Sequence, residues 1–402
     1  MKSNLSIPLK LAQLSALCLM VACEPVAKSE TVSVAVKNNL DFPRNEIVGV
    51  HIQDLSGVLK NNGENHLRVK KVGSQEYLRT QWMDNDQDGT NDELLFQADI
   101  AANASSEYVI LVDSTKAPEE SEVIAYSRLV PERTDDYTWE NDKVAFRTYG
   151  PTGEKEALAG VPGSTLSSGI DLWLKRTNKA IINKWYKAHE ANPGAYHKDR
   201  GEGYDPYHVG GSRGTGGIGI WENDSLLVSN NFTASRTLAD GPLRTVFELD
   251  YAPWSAYGVK ETKRITLDLG SNFSKFDISL SSEKEVPNYT VGITLHKNEG
   301  DAAINKEEGW FRHWETIDSS KVGEGVVVDP KIVKDAIAYK SDVTDQSNLF
   351  IVTKPQEKLS YYAGFAWQKS GQVSSVNDWE ILLKQQAQIL SNPLAVTIQE
   401  SK

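Results

Sequence analysis

Apolar and polar residues alternate in short runs along most of this chain, the period-two pattern of strands that bury one face. Val32 to Val36 alternates, Ile47 to Ile52 is a short apolar run, and Glu107 to Val112 is another. These runs delimit a first unit over residues 32–115, expected as a small β-sandwich. The charged, proline-containing stretch from Lys116 to Glu122 reads as a linker. Over residues 123–400 strand-like runs recur between turn signals: Val144 to Thr148, Ile170 to Leu174, Leu226 to Val228, Arg244 to Leu249, Thr262 to Leu269, Phe276 to Leu280 and Val291 to Leu295. Asp240-Gly241-Pro242 marks a turn ahead of one of them. One segment alone reads as a helix. Trp379, Leu382, Leu383, Ala387 and Leu390 recur at helical spacing, Ser375 with Asp378 makes a capped start, and Asn392-Pro393 ends it. A last strand, Leu394 to Ile398, follows, so the pattern predicts a mostly β protein without internal repeats.

The first residues change the picture of where the chain works. Lys2 and Lys10 precede an apolar stretch, Leu11 to Ala22, of about a dozen residues, too short to cross a bilayer of ~30 Å as a helix. Met20-Val21-Ala22-Cys23 looks like the lipobox of bacterial lipoproteins. On that reading residues 1–22 are a signal peptide, Cys23 is lipidated, and residues 23–31 are a tether. The alternative is an ordinary signal peptide with a chance cysteine. Glu24 follows where inner-membrane retention favours aspartate, which points to the outer membrane of a diderm bacterium, facing periplasm or cell surface. The chain has two cysteines, and Cys18 lies in the leader. The mature chain is therefore expected to carry neither a disulfide nor a thiolate nucleophile. A net charge of −12 argues against nucleic acid and against adsorption to anionic lipid. The lipid anchor is then the expected membrane contact.

The chemistry concentrates between Trp185 and Trp221. This glycine-rich stretch holds His189, His197 and His208 together with Tyr186, Tyr196, Tyr204 and Tyr207. So much glycine contributes little core and costs entropy to order, so proton-transfer side chains gathered there suggest a site carried on a scaffold elsewhere. The alternative is a solvated loop with incidental histidines. Lys198, Arg200, Arg213, Arg236 and Arg244 make the surroundings mixed to basic. The histidines do not fall at zinc spacing, there is no HExxH, and Gly211-Ser212-Arg213-Gly214 is not a nucleophile elbow. Gly214 to Gly219 lacks the strand–loop–helix context of a dinucleotide loop. What remains suits removal of a proton next to a carboxylate, which needs a base, a cation and a proton donor. Arg147 and Tyr149 share a face of one strand-like run, and His296 ends another.

Asp84-Asn85-Asp86-Gln87-Asp88-Gly89 is an aspartate ladder with glycine in sixth place. Leu95 stands where a calcium-binding helix–loop–helix needs glutamate. A hairpin variant is expected instead, holding one structural calcium ion through Asp84, Asp86, Asp88, Thr90 and Asp92. The alternative is an acidic turn without an ion.

WENDKVAFRTYGP from Trp139, YHKDRGEGYDPYHVGGSRGTGGIGIW from Tyr196, GPLRTVFELDY from Gly241 and ETKRITLDLGSNFS from Glu261 together resemble a bacterial family catalogued as a domain of unknown function. Its members belong to polysaccharide-utilisation clusters and include ulvan oligosaccharide dehydratases. The resemblance covers nearly the whole mature chain. It implies a large β-supersandwich of galactose-mutarotase type behind the small β domain. It also implies elimination of water from a non-reducing-end uronic acid to give a 4,5-unsaturated sugar, with no organic cofactor. His197 is then the expected base, Tyr207 the proton donor or relay, and Arg213 the carboxylate clamp. Arg147, Tyr149, Lys198, Asp205, His208, Arg236 and His296 are expected around an acidic oligosaccharide. Two alternatives stay open. One is a non-catalytic carbohydrate-binding lipoprotein, for which ten tryptophans and fifteen tyrosines would serve as stacking surfaces. The other is a polysaccharide lyase using the same β-elimination.

Overall fold

Among the described residues, alternating runs fold into five sheets whose strand pairs are antiparallel. The computed structural model describes residues 1, 31–60, 62–116 and 120–400. The expected leader, Cys23 and most of the tether lie outside the described residues. Among the described residues no helix is long and apolar enough to cross a membrane.

In the N-terminal unit a four-stranded sheet runs Ala395–Glu400, Thr31–Lys37, Ser105–Val112, Leu67–Lys71. A three-stranded sheet runs Arg44–His51, Glu93–Ile100, Thr80–Met83. Val32, Val34 and Val36 point inward at every second position and meet Val48, Val50, Phe96 and Ile110 in one core. One boundary differs from the expectation. The last strand, assigned by pattern to the 123–400 unit, pairs instead with Thr31–Lys37, with Val34 opposite Ile398. Ile398 packs on the N-terminal core, and the pairing closes what would be an open backbone edge.

The larger unit carries three sheets. The first runs Gly203–Tyr204, Asp171–Lys175, Ala145–Thr148, Asp136–Glu140, Tyr126–Val130. The second runs Ser225–Leu227, Thr215–Glu222, Tyr289–Thr294, Asn348–Thr353, Val333–Tyr339. The third has eight strands and includes the hairpin Trp310–Ile317 and Ser320–Val328. All three contribute to one continuous core, from Tyr137 and Phe146 through Ile218 and Val291 to Phe276 and Trp367. The protein is mostly β, sheet packed on sheet.

The expected helix forms over Val376–Ser391 with the capping box of Ser375 and Asp378 in place. Its buried face, Trp379, Leu383 and Ala387, lies over the strand Ser320–Val328. Close approach depends on glycine: a Cβ on Gly323 would stand 2.5 Å from Trp379 Cδ1. Among the described residues the short helix Ser56–Leu59 and the longer Pro151–Leu158 and Ile182–Ala191 correct the single-helix expectation. Ile182, Trp185 and Tyr186 recur at helical spacing and are buried with Trp173 and Tyr196, so the glycine-rich stretch contributes core after all.

Candidate active site

His313 and Glu315 alternate along Trp310–Ile317, and Glu324 stands directly opposite His313 on the next strand. That register brings two carboxylates and an imidazole together on neighbouring strands of one sheet. A second imidazole arrives from His296, two residues past the strand Tyr289–Thr294, in a left-handed backbone conformation with φ of 43°. Few non-glycine residues adopt that conformation. His296 Nδ1 is 2.7 Å from Glu315 Oε1, and Nε2 is 2.9 Å from the His208 carbonyl oxygen. A carbonyl only accepts, so Nε2 carries a proton and donates it.

Glu324 is fully buried. Its Oε2 lies 3.1 Å from His313 Nδ1, while no donor reaches Oε1 in hydrogen-bonding geometry. Burial, then the neighbouring Glu315 charge, raises the Glu324 carboxyl well above its ordinary range. Burial also pushes Glu315 upward, but its bond to His296 wins and holds it below the usual value. Burial opposes charge on His296, and the Glu315 bond overrides that and raises it. The surroundings therefore favour charge on His296 and Glu315 and disfavour it on Glu324.

His296 and Glu315 open onto a cleft of about 740 Å³ that also takes in His208, Asp318 and Asp345. The His208 side chain is 68% exposed, with Nε2 3.1 Å from Asp345 Oδ1. Tyr204 donates to the lining Asp318 at 2.8 Å. Tyr207 packs edge-on against the His296 ring at 4.7 Å and bonds Thr215 at 3.2 Å. Burial holds its phenol well above the ordinary range. It braces His296 and does not line the cleft.

A second network surrounds Arg147. Its Nη2 lies 2.5 Å from Asp171 and 3.0 Å from Asp205, and its Nη1 lies 3.9 Å from Asp136. Its guanidinium also stands over the rings of Tyr149, Trp173 and Tyr196. All three aspartates are buried. Burial, opposed in part by Arg147, pushes Asp136 to about 7. Burial and then the Asp205 charge push Asp171 to about 7, and burial pushes Asp205 to about 6. Arg147 and the buried Tyr149 are thus consumed by the scaffold, which corrects their expected place beside substrate. Asp205 ties this scaffold to His197, whose Nδ1 donates to the Asp205 carbonyl at 2.7 Å.

These aspartates keep protons in the folded chain at pH values where unfolded carboxylates, near ~4, have lost them. Their stabilising effect is present below about 4 and is lost as pH rises through 6 to 7. The protein is expected to melt at a higher temperature at pH 5 than at pH 8, and Asp136→Asn should shrink the difference. Equal melting temperatures at both pH values would contradict this.

The expected trio of His197, Tyr207 and Arg213 is not assembled. Arg213 is 1% exposed and bonds Ser168 and the Ile218 carbonyl inside the sandwich. Burial lowers it to about 10 even with Glu261 nearby. It cannot reach a substrate carboxylate. Arg236 sits on the strand Phe232–Asp240, paired with Glu248 and Asp250, and does not line the His296 cleft. Lys198 lines a different cleft, of about 460 Å³, with Trp185, Tyr196 and Arg200. His208 and His296 are brought together at one cleft. Glu315, Glu324, His313 and Asp345 were missed, although a lone acid in Gly323-Glu324-Gly325-Val326-Val327-Val328 is a visible anomaly in a strand.

The aspartate ladder is a hairpin between Thr80–Met83 and Glu93–Ile100. One oxygen each from Asp84, Asp86 and Asp88 falls within 4.8 Å of the others. Asp92 accepts from the Asn85 amide at 2.6 Å, and the Thr90 side is exposed. The convergent set is thus three aspartates.

Likeness to known proteins adds family and little more. Solved structures that match include an alpha-mannosidase from Enterococcus faecalis, at TM-score 0.47 and 8% identity over 92% of this chain and 46% of that one. A protein in glycosyl hydrolase family 38 from the same organism matches at TM-score 0.45 and 8% identity, over 94% of this chain and 48% of that one. The chain spans about half the length of these structures. Uncharacterized protein P7 of Formosa agariphila is 41% identical over 378 residues, covering 92% of this chain and 94% of the relative. Residues 36–396 match the family described as Domain of unknown function (DUF4861), and the chain belongs to that family.

Proposed function

We propose that the protein is a hydro-lyase that removes water from the non-reducing-end uronic acid of ulvan-like acidic oligosaccharides, leaving a 4,5-unsaturated uronate. One observation carries the reading: an exposed, carboxylate-oriented histidine, His208, faces the same cleft as the charged His296–Glu315–Glu324 group. The C5–H of a uronate is barely acidic until its carboxylate is neutralised, which is the task of the positive centre at His296. His208 Nε2–H donates to Asp345, which leaves Nδ1 free to accept a proton.

In the elimination, Nδ1 takes the C5 proton and the C5–H electron pair becomes the C4–C5 double bond. The C4–O bond breaks towards oxygen, and the same imidazolium returns its proton to that oxygen, which departs as water. His208 ends neutral, so the step closes without an oxidant or organic cofactor. His197 lies in the Arg147 network and outside this cleft. His197→Ala is accordingly expected to keep most of the wild-type turnover. A loss as large as that of His208→Ala would move the base back to His197.

Calcium belongs to the same reading as a structural ion in the N-terminal unit, because the converging Asp84, Asp86 and Asp88 oxygens repel without a counter-charge. Chelation should lower the melting temperature, and Asp86→Ala with Asp88→Ala should abolish that response. A melting temperature indifferent to chelator and added calcium would refute it.

A further inference from the structure

We infer that His296, Glu315 and Glu324 hold one divalent metal ion at the floor of the cleft. One donor atom from each lies within 4.8 Å of the other two, and these donors include both an imidazole and two carboxylates. Three features outside that convergence point the same way.

The first is orientation. A metal-ligating histidine usually donates its other ring N–H to a carbonyl or carboxylate, which sets the tautomer and aims the lone pair. His296 does this: Nε2–H goes to the His208 carbonyl at 2.9 Å, and Nδ1 faces the two glutamates. In the metal-bound form the ion takes the place of the Nδ1 proton. His313 plays the matching part for Glu324, holding Oε2 at 3.1 Å.

The second is an unmet need. Glu324 is 0% exposed and its Oε1 has no donor, whereas buried carboxylate oxygens are costly without a partner. A cation on that oxygen supplies the partner.

The third is the charge of the cleft. Glu299, Glu315, Asp318, Asp342 and Asp345 line it against Lys297. Walls this acidic attract a cation, which would add to the pull of His296 on an acidic sugar.

Three protein ligands below an open cleft follow the pattern of catalytic sites, which keep a position free, rather than closed structural ones. An imidazole with two carboxylates suits zinc or manganese better than a soft ion. The inference rests on reading the cleft as the reaction site and deepens it: the substrate carboxylate would take the open position on the metal.

The test uses the full mature chain, stripped with a chelator and dialysed against zinc and separately against manganese, with bound metal counted by elemental analysis. The Asp86→Ala/Asp88→Ala background removes the aspartate hairpin from the count. One ion per chain should remain in that background, and Glu324→Gln or His296→Ala should weaken its binding by at least ~10-fold. If Glu324→Gln fails to fold, His296→Gln at the partly exposed ligand makes the same comparison. Absence of zinc and manganese binding, or folded ligand variants that bind as tightly as the parent, would overturn the inference. A protein that binds the ion yet leaves oligosaccharides intact would sustain the site and sink the hydro-lyase reading. Full turnover by thoroughly stripped protein would sustain the hydro-lyase reading and overturn the placement of the substrate carboxylate on the ion.

Discussion

Arg147→Met should destabilise the protein by about 3–5 kcal/mol, the usual cost of removing one partner from a buried ion group. The reason is local. Asp171 and Asp205 lie within 3.0 Å of the guanidinium, and Asp136 lies at 3.9 Å. All are buried, Arg147 donates to Asp171 Oδ2 and Asp205 Oδ2, and Asp136 Oδ2, Asp171 Oδ1 and Asp205 Oδ1 have no hydrogen-bond partner. Without the arginine, these carboxyls must stay protonated or admit water. Urea denaturation at pH 8, where their charge is greatest, should show the full loss, and at pH 5 a smaller one. Adding Asp171→Asn should recover part of the stability lost at pH 8. A change under ~1 kcal/mol at both pH values would mean that the three aspartates are not held by Arg147.

His208→Ala should reduce turnover by about 10²–10⁴-fold, the range typical of a positioned general base. The side chain is 68% exposed and its contact is Asp345, so melting temperature and oligosaccharide affinity should hardly move. A fall in kcat without a rise in KM is the signature of a group that acts in the transition state. Asp345→Asn should cost less, since it orients the imidazole and takes no proton. Unchanged kcat in His208→Ala would remove this residue from the mechanism.

Strands and helices differ sharply in how far the sequence revealed them. Val32 to Val36 and Phe276 to Leu280 alternate cleanly because one face is core and the other solvent, and both are strands. Ser320–Val328 did not stand out, because seven of its nine residues are buried and burial on both faces erases the alternation. The helix Ile182–Ala191 was hidden by its neighbour: Trp185 and Tyr186 read as the start of a glycine-rich loop, while their helical partner Ile182 lay just outside it. The site suffered from the same blindness to long-range pairing. Composition drew attention to His197, Tyr207 and Arg213 as near neighbours in sequence, yet a strand and the sandwich core separate their surroundings. His296 and Glu315 meet across 19 residues, and His208 and Asp345 across 137. Only the sheet register brings such pairs together, and no spacing rule along one chain encodes it.

The central claim is that the cleft removes one water from a terminal uronate without cutting the chain. The direct measurement is mass spectrometry of an acidic oligosaccharide with a saturated non-reducing-end uronate after incubation with wild type and with His208→Ala. The wild type should yield a product of unchanged chain length that is lighter by one water and absorbs in the ultraviolet as a conjugated uronate, and His208→Ala should yield almost none. Shorter chains bearing the double bond would show a polysaccharide lyase, and an unaltered oligosaccharide that nonetheless binds would show a carrier; either result would contradict the account.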